Sequence, residues 1–338
     1  MNRGLVKRKS NLRDVAARAG VSVATVSRVL NAPDKVAFAT RSRVEEAISA
    51  LKFVPSAAAR AINRGRSGIV AALLPTLDNA IYARVVNGLE SRLAAEQLSL
   101  VVAQTGDDPE IELARAQQMV DIGAEALIVV GITHDDGLYD LMDRAQIPDV
   151  AISYFNEHSQ LPTIGYDNWE AATVAARHLA GLGHRTVAVL HGPAGTNDRV
   201  RQRMAALSAG VNGVEFVCRE VPMSTAGGYR GIEDVLEGAR APTAILCFSD
   251  VIAQGALSRL QSLGIRVPEE ISIMGMEDLP GSRFSFPTLT SVRLSVEEMG
   301  ERAAEAIACW LSSDIRPDSV NLPLELMIRD STATAHRK

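Results

Sequence analysis

Two different spacings of apolar residues divide the chain. Between residues 12 and 51 they recur at helical intervals: Leu12, Val15, Ala16 and Ala19, then Val26, Val29 and Leu30, then Val44, Ala47, Ile48 and Leu51. Residues three and four apart share one face of a helix, so each set predicts a short amphipathic helix. Gly20 stops the first, since glycine accepts the left-handed backbone at a helix end. Ser22 can cap the second, which runs to about Asn31, and Thr40 can cap the third after the loop NAPDKVAFA. Residues 53–68, FVPSAAARAINRGRSG, carry Pro at the front, Ala in the middle and Gly, Arg and Ser at the back. That order reads as a conditional short helix joined to a flexible linker.

From Gly68 onward the pattern changes to strand–helix alternation. GIVAALLP (68–75) is a strand, an amphipathic helix follows from about Ile81 to Gln97, and LSLVVAQT, ALIVVG, DVAIS and TIGYD are further β-rich runs. A second series consists of TVAVLHG (186–192), EFVCREV (215–221), TAILCFS (243–249) and ISIMGME (271–277), each separated by a helical stretch. Near-continuous apolar strands are buried on both faces, as in parallel sheets. The expected architecture is α/β, two doubly wound sheets side by side, with a ligand cleft between the halves at the carboxyl ends of the strands.

Charge sharpens this division. Residues 1–66 contain 14 Lys and Arg against four acids, Asp14, Asp34, Glu45 and Glu46. Subtracting them from totals of 35 basic and 40 acidic residues leaves 21 basic and 36 acidic in 67–338. A head of net +10 on a body of net −15 points to a polyanionic partner for the head alone. The three cysteines, Cys218, Cys247 and Cys309, lack metal spacing and read as small core residues in a reducing compartment. Residues 1–10 are charged and no apolar run follows them, so no secretory signal is read. Nothing reaches the roughly 18–20 apolar residues of a membrane span, and a cytoplasmic location is expected.

The second short helix carries the chemistry. Helix, Gly-containing turn, helix in a basic setting is the helix-turn-helix pattern. With Val26, Val29 and Leu30 inward, Val23, Ala24, Thr25, Ser27 and Arg28 remain for a DNA groove. Small side chains let the helix N-terminus enter, and Ser22, Thr25 and Ser27 hydroxyls can meet phosphates. Arg28 is the long donor suited to guanine, while Val23 and Ala24 can touch thymine methyls. Elsewhere His134, His158 and His191 lie on expected loops without spaced partners. His178 and His184 flank a helix end, where capping is their expected role. No metal and no cofactor are expected. GLGH (181–184) is half a dinucleotide fingerprint at the wrong end of a helix, and no GxxxxGK[ST], GxSxG or HExxH occurs, so no enzyme is indicated.

DVAARAGVSVATVSRVLN (14–31) resembles the N-terminal signature of the LacI/GalR family of bacterial transcription regulators. The likeness continues through LKFVPSAAARAI (51–62), YDNWEAATVAARHLAGLGHRTVAVLHGP (166–193), PTAILCFSDVIAQGAL (242–257) and LGIRVPEEISIMGMEDLPGSRFSFPTLTSVR (263–293). The resemblance implies a helix-turn-helix head at 1–52, a hinge helix and linker at 53–67, and a two-lobed effector domain at 68–338 resembling class I periplasmic binding proteins. Lobe 1 would take about 68–165 plus 295–312, and lobe 2 about 166–294 plus 313–331. It implies that Ser22, Val23, Ala24, Thr25, Ser27, Arg28 and Asn31 meet double-stranded operator DNA. Ala59 would lie in the hinge helix and Ile62 would be its minor-groove wedge, where the family usually has leucine. Ala57 and Ala58 would let two hinges approach, and Arg60, Arg64 and Arg66 are either phosphate contacts or solvated linker charges.

The same resemblance implies a small-molecule effector, a sugar, sugar acid or nucleoside-like compound, held by Tyr82, Asp167, Arg199, Met223, Asp250 and Glu277. Departures from the family pattern are Glu277 for aspartate, Met223 for an aromatic and Gln202 for glycine. A homodimer is implied, because the chain ends RDSTATAHRK without the leucine heptads of the family's tetramers. The function so implied is a ligand-responsive repressor of carbohydrate or sugar-acid metabolism genes. The rival readings are a transport receptor or a sugar-modifying enzyme on the same two-lobed fold.

Overall fold

A computed structural model of the chain describes residues 10–54, 66–211, 213–238 and 241–336. It divides into two compact units, residues 1–68 and 69–338. In the first unit, α1 (Leu12–Ala19) opens on a capping box: Asn11 Oδ1 accepts from the Arg13 and Asp14 N–H groups, and the Asp14 side chain accepts from the Asn11 N–H. Gly20 ends it at φ 64°. In α2 (Val23–Asn31) the Ser22 Oγ accepts from the Thr25 N–H at 3.1 Å. Residues Pro33–Lys35 form a 3₁₀ turn before α3 (Phe38–Leu51).

Thr40 does not cap α3. The helix begins two residues before it, with Ala37 at the cap position and no side-chain cap bond. The three apolar stripes meet in one core of Val15, Ala16, Ala19, Val26, Val29, Val44, Ala47 and Phe53, with Leu12, Leu30, Ile48 and Leu51 packed partly buried against it. Short helices of this composition are marginal alone, so this shared core is what holds α2 in shape. Ala57, Ala58, Ala59, Arg60, Ile62 and Arg64 of the expected hinge lie outside the described residues.

The second unit contains two lobes. In the first, β1 (Ile69–Leu74), α4 (Ala80–Ala95), β2 (Ser99–Gln104), α5 (Pro109–Asp121), β3 (Ala124–Val130), α6 (Asp136–Ala145), β4 (Asp149–Ile152) and β5 (Thr163–Gly165) alternate. The second continues with α7 (Asn168–Gly181), β6 (Thr186–His191), α8 (Asp198–Ser208), β7 (Glu215–Glu220), α9 (Thr225–Leu236), β8 (Ala244–Cys247), α10 (Asp250–Ser262), β9 (Ser272–Glu277) and β10 (Thr290–Leu294). Then come α11 (Val296–Ser313), β11 (Val320–Asn321) and β12 (Leu324–Met327). The six-stranded sheets have the orders β11-β5-β4-β3-β1-β2 and β12-β10-β9-β8-β6-β7. Every pairing is parallel except β12 on β10.

The return of the chain to the second lobe comes later than the sequence suggests. Val320 and Asn321 still pair with Ile164 and Gly165, so 313–321 belongs to the first sheet, and the crossing falls between β11 and β12. The backbone bonds of β5 decide this, since a buried edge strand needs a partner. β10 was hidden from the apolar pattern by Thr290 and Ser291, which are buried but hydrogen-bonded through their hydroxyls to Arg329 O and Asp250 Oδ1. In the first lobe α4 and α11 meet backbone to backbone: a Cβ on Gly88 would lie 2.2 Å from Glu297 O.

Three smaller expectations also change. His191 ends β6 rather than lying on a loop. His178 and His184 fasten the C-terminal segment instead of capping a helix: His178 Nε2 lies 3.1 Å from Thr332 Oγ1, and His184 bridges Thr243 Oγ1 and Ala333 O. Burial lowers the pKa of both rings. Cys247 is a buried core residue, but Cys218 is only half-buried and Cys309 is exposed. No helix among the described residues is long and apolar enough to cross a membrane.

Candidate functional site

The first candidate surface is α2. Packing takes Val26 and Val29 into the core and leaves Ser22, Val23, Ala24, Arg28 and Asn31 exposed, with Thr25 and Ser27 partly so. Val23 is 41% exposed. Ser22 is committed to its cap and to Thr25 Oγ1 at 2.9 Å, and Asn31 Nδ2 donates back to Ser27 O at 2.9 Å. The Arg28 guanidinium has no ion-pair or hydrogen-bond partner among the described residues. A free guanidinium beside small side chains is suited to a groove edge.

The second candidate is the cleft where the two lobes meet, a narrow space of about 100 Å³. That is smaller than the usual small-molecule site. Of the six expected effector residues, Tyr82, Arg199, Met223 and Glu277 line it. Asp167 and Asp250 do not. Asp167 is the cap of α7, accepting from the Trp169 and Glu170 N–H groups. Asp250 is fully buried behind Glu277 and accepts from Leu279 N–H, Ser282 Oγ and Ser291 Oγ at 2.6–2.8 Å. Its acceptors are therefore occupied from within. Burial pushes its carboxyl up to about 6 in spite of those bonds.

The N-terminus of α8 joins the lobes. Asp198 Oδ2 accepts from the Ile132 and Thr133 N–H groups of the first lobe at 2.6 and 3.0 Å. Arg199 is held by Asp198 on one side and by Asp107, after β2, on the other, both at 2.9 Å. Gly131, at φ 87°, leaves room for this clamp, since a Cβ there would lie 2.6 Å from both Arg199 Nη1 and Asp198 Oδ2. Asn197 caps the helix and also donates weakly to Asp107.

Several lining residues were not anticipated from the sequence: Asn79, Asp107, Ser153, Tyr166, Arg203 and Phe248. Arg203 follows Arg199 by four residues, on the same face of α8, and that spacing was a signal available in advance. Tyr166 and Phe248 follow the ends of β5 and β8, where the carboxyl-end rule would have placed them. Arg203 donates through Nε to Asn168 Oδ1 and through Nη1 to Phe248 O, both at 2.9 Å, and its guanidinium lies 5.9 Å from the Phe248 ring centroid. Glu277, at the end of β9, accepts from Ser249 Oγ at 2.9 Å. Desolvation, reinforced by the neighbouring Asp250, pushes the Glu277 carboxyl up to about 8. Gln202 is half-buried, and nothing in the structure explains why its Oε1 lacks a donor.

A roomier groove of about 450 Å³ lies at the amino end of β4, lined by Tyr139, Asp149, Trp310 and Arg316 among others. It is the wrong end of a parallel sheet for a ligand. Among the described residues no three His, Cys, Asp or Glu side chains converge as a metal site would.

Comparison with known proteins finds a family match in each of the two units. Residues 11–56 match the bacterial regulatory proteins, lacI family, and residues 176–332 match the periplasmic binding protein-like domain. The chain is 32% identical to the transcriptional regulator MalR of Streptomyces coelicolor, over 96% of this chain and 97% of the relative. It is 29% identical to the transcriptional repressor PurR of Vibrio atlanticus, over 88% and 91% of the two. A Silicibacter pomeroyi LacI-family regulator of known structure superposes with a TM-score of 0.88 and 27% identity, covering 96% of this chain and 99% of that one. The chain belongs to the LacI family, as a ligand-responsive, DNA-binding transcription regulator.

Proposed function

We propose that the chain is a homodimeric repressor of carbohydrate or sugar-acid metabolism genes, acting in the cytoplasm on double-stranded operator DNA. Its effector sits in the interlobe cleft against Tyr82, Arg199, Met223 and Glu277, with Tyr166, Arg203 and Phe248 completing the lining. The observation that carries this reading is the clamp of Asp198 and Arg199 across the lobes. A ligand that binds one lobe arrangement better than another shifts the population, and coupling of about 1–3 kcal/mol would change operator affinity roughly 5–150-fold.

On the DNA side, Ser22, Val23, Ala24, Thr25, Ser27, Arg28 and Asn31 form the reading face, Ser22 and Asn31 mainly by holding the helix. Ala59 and Ile62 complete it as hinge packing and minor-groove wedge, on the family resemblance alone. Phe284 and Phe286, 86% and 87% exposed, support a face covered by a second copy. The three aromatic rings Tyr82, Tyr166 and Phe248 favour one other effector class, a nucleoside stacked on its base.

A thermal-unfolding screen of sugars, sugar acids and nucleosides on the full chain, followed by operator retention assays with each hit, tests the reading. A compound that stabilises the body and changes operator affinity is expected. Stabilisation without any change in operator affinity would fit a solute receptor better.

A further inference from the structure

The charges of the cleft are unequally matched. Arg199 has two carboxylates on it, Asp198 and Asp107 at 2.9 Å each. Arg203, one turn later on α8, is equally buried, 5% against 6% exposed. Among the described residues no carboxylate lies within 4.0 Å of it. Its bonds go to two neutral acceptors, Asn168 Oδ1 and Phe248 O, and among the described residues its Nη2 has none. A buried cation without a counter-charge is costly to keep, and evolution more often pairs it or replaces it.

The acid whose field reaches Arg203 is Glu277, and it is a poor counterion. It is 5% exposed, hydrogen-bonded to Ser249, and pushed up to about 8, so near neutrality it is mostly protonated. As a neutral carboxyl it can both donate to and accept from hydroxyl groups. Tyr82, Tyr166 and Phe248 offer apolar faces to a carbon chain or ring.

We propose that the cleft selects a monoanionic polyhydroxy carboxylate, an aldonic or uronic type of sugar acid, whose carboxylate pairs with Arg203 while its hydroxyls bind Glu277. The proposal rests on the cleft being the effector site. One unmatched guanidinium calls for one negative charge. A phosphate ester, with nearly two, would meet the Asp107 carboxylate and lack a second free cation. A neutral sugar would leave Arg203 without a counterion and gain only uncharged hydrogen bonds from it.

The experiment sets C5 and C6 aldonates and uronates beside neutral counterparts of the same carbon skeleton, such as gluconate beside glucitol and galacturonate beside galactose. Binding to the full chain is followed near pH 7 by calorimetry and thermal unfolding. The expected result is at least one acid that binds about 100-fold more tightly than its neutral counterpart. R203Q should then bind that acid and its counterpart about equally weakly, and R203K should recover part of the preference. The acid–neutral comparison is made in the unaltered protein, so a poorly folded R203Q would not prevent a decision. A neutral sugar or nucleoside that binds better than every acid overturns the inference but leaves the cleft as effector site, provided Tyr82→Ala weakens it. Failure of every acid to bind also overturns it. A ligand whose affinity is untouched by both R203Q and Tyr82→Ala lies elsewhere, and the effector-site reading falls with the inference.

Discussion

On α2 the polar side chains that matter are exposed and few, whereas in the cleft they are buried and mostly engaged with one another. The Arg28 side chain has no partner among the described residues, but Arg199 already holds two carboxylates and Asp250 accepts three internal hydrogen bonds. The DNA backbone supplies counter-charge to the head from outside, so the head can leave its donors open to water at little cost. Most polar groups of the cleft are buried, so each must be paired within the protein or be matched by a ligand. This difference teaches where to look for specificity. On the head it lies in which side chains face out, and in the cleft it lies in which groups are left unmatched.

Five substitutions separate the two regions, from the largest expected effect downward. Val26→Asp puts a charge into the head's apolar core and should cost that unit on the order of 3–5 kcal/mol, enough to unfold it. Operator binding would be lost, while unfolding of the body, followed calorimetrically, should stay at its original temperature. A matching drop in the body would show that the two cores are not independent. Arg199→Ala strands Asp198 and Asp107 across the lobes and should lower body stability by about 3 kcal/mol. Effector should no longer shift operator affinity in a titration of the variant, and a normal response would remove Arg199 from the effector machinery.

Arg28→Ala should weaken operator binding by about 1–3 kcal/mol, concentrated at one base pair in a panel of operator variants. Equal weakening on all sequences would make Arg28 a phosphate contact. Glu277 carries a pH signature of the opposite region. Its folded pKa of about 8 lies above the ordinary 4.5, so the folded state binds the extra proton between those values. Body stability should therefore fall as pH rises through that window, by up to about 1.4 kcal/mol per pH unit, and level off above it. Glu277→Gln should flatten the slope seen in unfolding titrations from pH 5 to 8. Ser22→Ala should be smallest, removing a single cap and costing the head about 1 kcal/mol without altering which base pairs are preferred.

The head was almost entirely legible. Leu12 to Leu51 carry a period that reports burial directly, and both Gly20 and Ser22 do in the fold what their chemistry suggests. Thr40 misled because a cap residue is recognised only relative to the first helical turn, and that turn starts at Phe38 with Ala37 in the cap position. The cleft was legible in part. Arg199 and Glu277 line it, yet Asp167 and Asp250, equally polar and equally near a strand end, were taken up by a helix cap and a buried loop. Arg203 was overlooked because one arginine among Arg199, Arg201 and Arg203 looks like another until their neighbours are known.

From the order of residues alone came the basic head, the alternating strands of two parallel sheets and the face that α2 presents, because hydrophobic period and net charge are local or additive properties. The three-dimensional structure alone decided which carboxylates neutralise which arginines and where the last crossing between lobes occurs. It also decided which hydroxyls are satisfied within the protein. Those outcomes depend on distances between residues far apart in the chain, such as Asp107 and Arg199, and in a low-dielectric interior a few ångströms determine whether a charge is paired or left for a ligand.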